Sequence, residues 1–591
     1  MSDHTGVLNV SLEDHIRFRK EARRLNPDII FPWRRPCSVS VLLLTDGDLN
    51  FGLGDFGLSA FVNLLSNGRS YVRFNLTLGH LRSNVTDAEV MKGAPGIAAS
   101  IKDFRFDNPQ HFTATKYDEV WMFGFETNFH QPSYNHRNTN RPSYPSNRLS
   151  DAELVVLNAH MQRGGGVFAT GDHGALGRAL CGSVNRVRSM RYWNSHVVAG
   201  QDEVGMTNAR RNDTNQRGDA GTQFSDQSDD LPQTIDLKLY SARLSIFTRE
   251  RYPHPLLCGP KGRIDVLPDH PHEGECVEPS SLTAVFAPDG TEEYPAATGG
   301  GPRVSPEVIA TSHVPAGNTA TLRSSFKTPT VAHSFGCISA YDGHRAGVGR
   351  VACDSTWHHF VNVNLIGVVE GEGFDDLTPA DSPTKHDGFM STTADPDVLA
   401  KIKDYFINIG VWIAPPARHT CFRKKLSWEV IFRARLMEAA LVDPDVDIGR
   451  IPLDVLHHIG SAARDVVGGL AGQCRSLEFV FDVFRPLVPE LVELVDPWPL
   501  PDPPPDPPPF PWLDPLKLLE TALGAAVVSL RQRFPYPPAE FDEAVEREAD
   551  KAILDGARHG LQRGMRQMAK DMDSFNKVFR ASAQTAQVRL D

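Results

Sequence analysis

Residues 150–177 read SDAELVVLNAHMQRGGGVFATGDHGALG. Ser150 and Glu153 stand three apart at the head of this stretch, the spacing of a capping box: the serine hydroxyl accepts from a free backbone N–H and the glutamate reaches back to the cap. A helix is therefore expected to run to about residue 163. Gly164-Gly165-Gly166 ends it, and Val167-Phe168-Ala169-Thr170 is a short apolar strand that feeds straight into Gly171-Asp172-His173-Gly174. Helix, glycine stop, buried strand and acidic loop, in that order, are one unit of a doubly wound α/β sheet, whose ligands bind beyond the carboxyl ends of its strands.

The same alternation extends in both directions. Upstream, Ser38-Val39-Ser40-Val41-Leu42-Leu43-Leu44-Thr45 is a nearly continuous apolar run ended by Asp46-Gly47-Asp48, the pattern of a parallel strand covered on both faces. Residues 57–65 read as a helix, and 71–76 and 119–125 as further strands. Downstream, strand signals return at 334–340 and 349–354, and a helix at 396–409 closes the unit. The fold expected for residues 36–415 is thus a doubly wound, mainly parallel, flavodoxin-like sheet. Residues 1–35 form an N-terminal arm with a short helix at 12–24. Residues 185–330, rich in Gly, Pro, Asn and Asp, read as long insertions carrying short strands such as 244–248, and long ordered loops are commonly functional.

Beyond residue 415 the pattern becomes amphipathic helix. A helical region covers 416–497, with apolar residues at helical spacing over 422–441, 452–470 and 477–495. A proline-rich linker follows at 498–515, whose tract 498–511 (WPLPDPPPDPPPFP) has polyproline II character and reads as a strut or as a docking site for a proline-recognising module. Residues 516–591 supply the C-terminal helices, at 516–533 and from 538 onward. These helices either dock on the sheet or carry an oligomer or protein-partner surface.

With 591 residues, 40% of them apolar, the chain is long enough for a large core and an appendage. Its 73 acidic against 61 basic residues give a net charge of −12, which argues against nucleic acid as a partner. The basic stretch holding Arg178, Arg186, Arg188, Arg191, Arg210 and Arg211 suits carboxylates or an anionic small molecule better. No secretory leader and no run of ~20 apolar residues is present, so no membrane association is expected. Eight cysteines without a CxxC pair suggest reduced thiols and a cytoplasmic protein.

Three strand ends bring acids and imidazoles to one edge: Asp46 and Asp48 after the first strand, Asp172 and His173 after the fourth, and Asp354, Thr356, His358 and His359 after the last. Asp172, His173, Asp354, His358 and His359 are the catalytic candidates, with Asp46, Asp48, Thr356, Arg188 and Arg191 as ligand-binding candidates. Within the insertion, His270, His272 and Glu273 offer the imidazole and carboxylate set suited to zinc, iron or manganese, and read equally as a solvated polar loop. Tyr341-Asp342-Gly343-His344-Arg345 reads equally as a polar site and as a hairpin turn. The Gly52-Leu53-Gly54-Asp55-Phe56-Gly57 match to GxGxxG begins seven residues after the strand, with no acidic residue ending the second strand. No nucleotide cofactor is therefore expected.

The segment from Gly171 to Gly177 resembles the elbow of the class I glutamine amidotransferase-like fold, including its trehalose-utilisation-like branch, with Gly174 two residues past the nucleophile position. Arg350-Val351-Ala352-Cys353-Asp354-Ser355-Thr356-Trp357-His358-His359 is similar to the late strand that delivers that fold's histidine. The likeness covers residues 38–182 and 334–410. It implies a strand-to-helix turn with a dipole-favoured anion site, and a reacting group at position 172. Two departures qualify the activity. The family places Cys at the elbow and Glu one residue after its paired His, whereas this chain has Asp172 and no Glu after His358 or His359, so thiol-dependent glutamine hydrolysis is not expected. Asp172 is left as carboxylate nucleophile, general base or metal ligand. The resulting expectation is an enzyme of hydrolytic type on this scaffold, using acid/base and metal-assisted chemistry on a small-molecule or peptide-like substrate. The alternative is a catalytically inactive ligand-binding or assembly module.

Overall fold

The computed structural model describes residues 35–127, 148–193, 212, 214, 232–243, 249–268, 273–317, 320–322, 325–327, 330–367, 389, 396–432, 446–498, 514–538 and 541–586. Residues 1–34 of the N-terminal arm, the strand expected at 244–248, His270 and His272, and the polyproline tract after Trp498 lie outside them.

A sheet of eleven strands organises the α/β part among the described residues. Six run parallel: β1 (Cys37–Thr45), β2 (Val72–His80), β3 (Ile97–Ile101), β4 (Glu119–Phe123), β5 (Gly166–Thr170) and, far downstream, β11 (Val351–Asp354), in the spatial order β3-β2-β1-β4-β5-β11. Five antiparallel strands widen it: β6 (Arg191–Tyr192), β7 (Asp236–Leu237), β8 (Glu275–Cys276), β9 (Glu307–Val314) and β10 (His333–Tyr341). The β10–β11 hairpin carries Asp342-Gly343 in its connection, where Asp342 accepts from Arg350 at 2.7 Å.

The alternation in β1 explains why the sheet is covered on both faces. Val39, Val41 and Leu43 enter the larger core with helices α1 (Ser59–Ser66) and α3 (Pro396–Ile413), while Leu42 and Leu44 enter a second core with Leu157 and Met161 of α2 (Asp151–Gln162). Period-2 side-chain direction makes this division unavoidable once both faces are buried. The capping box is present at the start of α2: Ser150 Oγ accepts from the Glu153 N–H at 3.2 Å, and Glu153 Oε2 accepts from the Ser150 N–H at 3.0 Å.

The helical C-terminal region shares the larger core. It comprises α4 (Pro416–Phe432), α5 (Leu453–Ala471), α6 (Gln473–Phe484), α7 (Pro489–Val495), α8 (Pro515–Arg533) and α9 (Glu543–Thr585). Phe422 of α4, Ile459 of α5, Phe481 of α6, Leu523 of α8 and Ile553 of α9 join Val41 and Leu76 in one continuous cluster. These helices therefore dock on the sheet. The helix expected at 477–495 is instead two, α6 and α7, because Pro486 and Pro489 each lack the N–H that would continue the ladder. No helix among the described residues is long and apolar enough to cross a membrane.

One cysteine expectation is corrected. Cys37, at the start of β1, and Cys421, on α4, form a disulfide across 384 residues of sequence. Spacing could not reveal it, since the pairing exists only because α4 packs beside β1. The other six cysteines are free and buried.

Candidate functional site

Strand register places the site. Thr45 lies opposite Phe123, Phe123 opposite Thr170, and Thr170 opposite Asp354, so four parallel strands end on one line. The residues that follow, Asp46, Gly124, Gly171 and Ser355, lie along one carboxyl edge, beside the reversal of strand order between β1 and β4.

Past Thr170 the expected strand-to-helix elbow does not form. Gly174 and Gly177 adopt φ of 62° and 88°, which break a right-handed helix, and residues 174–183 make successive turns. The loop folds back on the end of β4 so closely that a Cβ on Gly124 would lie 2.6 Å from the Gly177 Cα. Asp172 thus stands over a turn, with no helix N-terminus behind it.

Asp172 is fully buried and fully engaged. Its Oδ1 accepts from Thr356 Oγ1 at 2.8 Å, and its Oδ2 pairs with His173 Nδ1 at 2.8 Å, with His358 Nε2 at 3.6 Å from the same oxygen. Burial alone would raise its pKa, but the two imidazoles and the Thr356 hydroxyl outweigh burial and hold it below the ordinary carboxylate value. His173 keeps 37% of its side chain exposed, whereas His358 keeps 2%. Burial pushes His358 down to about 3, so it is neutral across the physiological range. His358 stacks on Trp357 with ring centroids 4.0 Å apart, and Phe56 and Phe125 add edge and tilted contacts to this aromatic wall.

His359, one residue on, belongs to a different network. Its Nδ1 pairs with Asp354 Oδ1 at 2.8 Å, and its Nε2 faces Gln233 Oε1 at 3.1 Å and Glu273 Oε1 at 3.8 Å. Burial would lower its pKa, yet Asp354 and then Glu273 overcome this and hold it at about 10. Tyr405 donates to Asp354 Oδ2 at 2.7 Å and Ser355 to Glu273 Oε2 at 2.5 Å. Among the described residues, Glu273, Cys337 and His359 form a buried group that could hold a metal ion.

The remaining candidates are committed to internal contacts. Asp46 Oδ1 accepts from the N–H groups of Phe125 and Glu126 at 2.5 and 3.3 Å, tying the ends of β1 and β4. Asp48 is exposed and pairs with Arg82, which also reaches Glu126. Arg188 pairs with Glu293 at 2.8 Å. Arg191 is buried and donates to the carbonyls of Asp172, Tyr192, Asp354 and Ser355, clamping β5 to β11. The Gly52–Gly57 loop is held by Asn362, whose Nδ2 donates to the Gly52 and Gly54 carbonyls while its Oδ1 accepts from the Ala60 N–H of α1.

Sequence reading missed Gln233, Cys337 and Tyr405. Gln233 sits in a three-residue strand without periodic signal, and Tyr405 and Cys337 look like ordinary core positions of α3 and β10. No family model, no curated protein and no solved structure matches the chain.

Proposed function

We propose that this protein is an enzyme of hydrolytic type, built on a doubly wound, glutamine amidotransferase-like scaffold, in which His173 transfers protons under the control of Asp172. The observation that carries this reading is the 2.8 Å pairing of a buried, ionised Asp172 with the half-exposed His173 at the carboxyl edge of the parallel strands. With Nδ1–H donated to Asp172, the basic nitrogen of His173 is Nε2, the arrangement that lets an imidazole accept a proton from water or a substrate hydroxyl. Thr356 fixes the carboxylate from the other side. The aromatic wall beside His358 suits a small-molecule or peptide-like substrate with an apolar portion. Zinc, iron or manganese chemistry is not needed for this step.

The test is turnover by the purified full-length chain of a panel of nitrophenyl esters, phosphates and glycosides together with peptide amides. Wild type should turn over at least one class, and His173→Ala should slow it about 10²- to 10⁴-fold, the usual contribution of a positioned acid/base group. Turnover untouched by His173→Ala would remove the proposal. The alternative, a catalytically silent binding or assembly module, is favoured by the absence of Cys at position 172 and by the complete burial of Asp354 and His359. Exposed Met565, Met572, Val578 and Phe579 on the outer half of α9 support a protein partner in either case.

A further inference from the structure

Glu273 presents a chemical problem that the Asp172–His173 reading does not touch. Its side chain is completely buried; Oε2 is held by the Ser355 hydroxyl, but Oε1 has no hydrogen bond. A buried carboxylate oxygen left unbonded is costly, and native proteins rarely leave one so. This oxygen lies 3.8 Å from His359 Nε2, and Cys337 Sγ lies 4.0 Å from the partner oxygen Oε2. The ligand atoms of Glu273, Cys337 and His359 all fall within 4.8 Å of one another. Gln233 Oε1 lies 3.1 Å from the same imidazole nitrogen and offers a fourth donor atom beside it.

We propose that Glu273, Cys337, His359 and Gln233 form a closed structural zinc site joining the antiparallel flank of the sheet to its parallel block. A thiolate, an imidazole and a carboxylate together suit zinc better than the oxygen-preferring ions. Zinc bonds of about 2.0–2.3 Å put tetrahedral ligand atoms roughly 3.3–3.8 Å apart, so a group whose ligand atoms lie within 4.8 Å of one another closes on the ion with side-chain shifts of up to about 1 Å. The surroundings also match what a metal site requires. Asp354 accepts from His359 Nδ1, the contact that fixes a ligating imidazole with Nε2 towards the ion, and Tyr405 in turn holds Asp354. Ser355 orients Glu273 in the same way. Binding requires the Cys337 thiolate and a free lone pair on His359 Nε2, so protons held on the ligand atoms pass to solvent as the ion enters.

The four side chains come from separated pieces of sequence: the strand at Pro232–Thr234, the segment entering β8, the middle of β10, and the turn after β11. An ion there fixes the insertion to the sheet. All four groups are buried and offer no open position to substrate, which separates this site from the Asp172–His173 dyad.

The test uses full-length protein purified without chelator, with zinc measured by plasma mass spectrometry before and after dialysis against zinc. About one equivalent is expected in wild type and in Cys276→Ala, which removes a neighbouring buried thiol outside the set, and at least a tenfold loss in Cys337→Ala. Cobalt substitution of the wild type keeps the question open to decision should Cys337→Ala misfold. Intense tetrahedral bands with thiolate-to-cobalt charge transfer are expected. Wild type that holds no zinc even after loading, zinc retained in folded Cys337→Ala, or bound cobalt lacking the thiolate band would each overturn the site. His173→Ala should keep its zinc, so a failure of the dyad and a failure of the metal site are read separately.

Discussion

His173 differs from the other imidazoles of the site in having both a fixed carboxylate partner and solvent. His358 and His359 are buried, the first neutral and the second locked among Asp354, Gln233 and Glu273. If Asp172 serves only to orient and stabilise His173, the two act as one unit, and removing them together should cost no more than removing His173 alone. Turnover by the Asp172→Asn/His173→Ala double variant is therefore expected to equal that of His173→Ala, whereas multiplied losses would mean that Asp172 acts on substrate independently. At this scale the sequence is informative just past the strand ends: Asp172, His173, Thr356 and His358 stand out by position alone, and their side chains lie together. It is silent on Gln233, Cys337 and Tyr405, whose polar atoms acquire meaning from partners distant in sequence, such as Tyr405 on Asp354 and Gln233 on His359.

Among the elements, the strongest reading was of strands covered on both faces, since β1, β4 and β5 are continuous apolar runs ended by Asp or Gly. The two-residue strands β6, β7 and β8 carry no period at all and exist only through their partners. The turn after β5 is not legible in the sequence because glycines flanking Asp172 fit either a strained elbow or a chain reversal, and the close approach of Gly124 to Gly177 selects the reversal. Helix packing also turns on glycine. Where α5 crosses α8, a Cβ on Gly524 would run into the Leu456 carbonyl, and one on Gly460 into the Glu520 carbonyl, while Gly469 on α5 has open space around it. Alanine gains up to about 1 kcal/mol of helix propensity over glycine, and overpacking costs about 1–3 kcal/mol. Gly524→Ala should thus lower the Tm and Gly469→Ala raise it slightly; a raised Tm in both would show that the two helices can part without cost.

Across the whole molecule, several histidines are buried in neutral form. Burial first, and then Arg82, lowers His80 to about 4; burial followed by Arg350 lowers His254 and His344 to about 3. Each has an unfolded value of 6.5, so between that pH and the folded values the unfolded chain binds more protons. The stability they contribute is complete above pH 6.5 and is lost as pH falls towards 4, by roughly 3 kcal/mol for His80 alone. Denaturant midpoints should fall over that interval, and less so in His80→Gln; a midpoint flat from pH 6.5 to 4 would refute the account. The architecture at this scale was partly legible. The change from strand alternation to helical spacing near residue 416 marks a real change of structure, but amphipathic periodicity does not say which surface a helix covers, and so could not show that α4 to α9 share a core with β1 and β2.

The Cys37–Cys421 link then has a topological meaning. It converts all the sequence from the first strand of the sheet to the first of the docked helices into a covalent ring, with the later helices attached as a tail. A single break in the backbone anywhere inside that ring leaves one molecule, its two pieces still tethered, and only reduction lets them part.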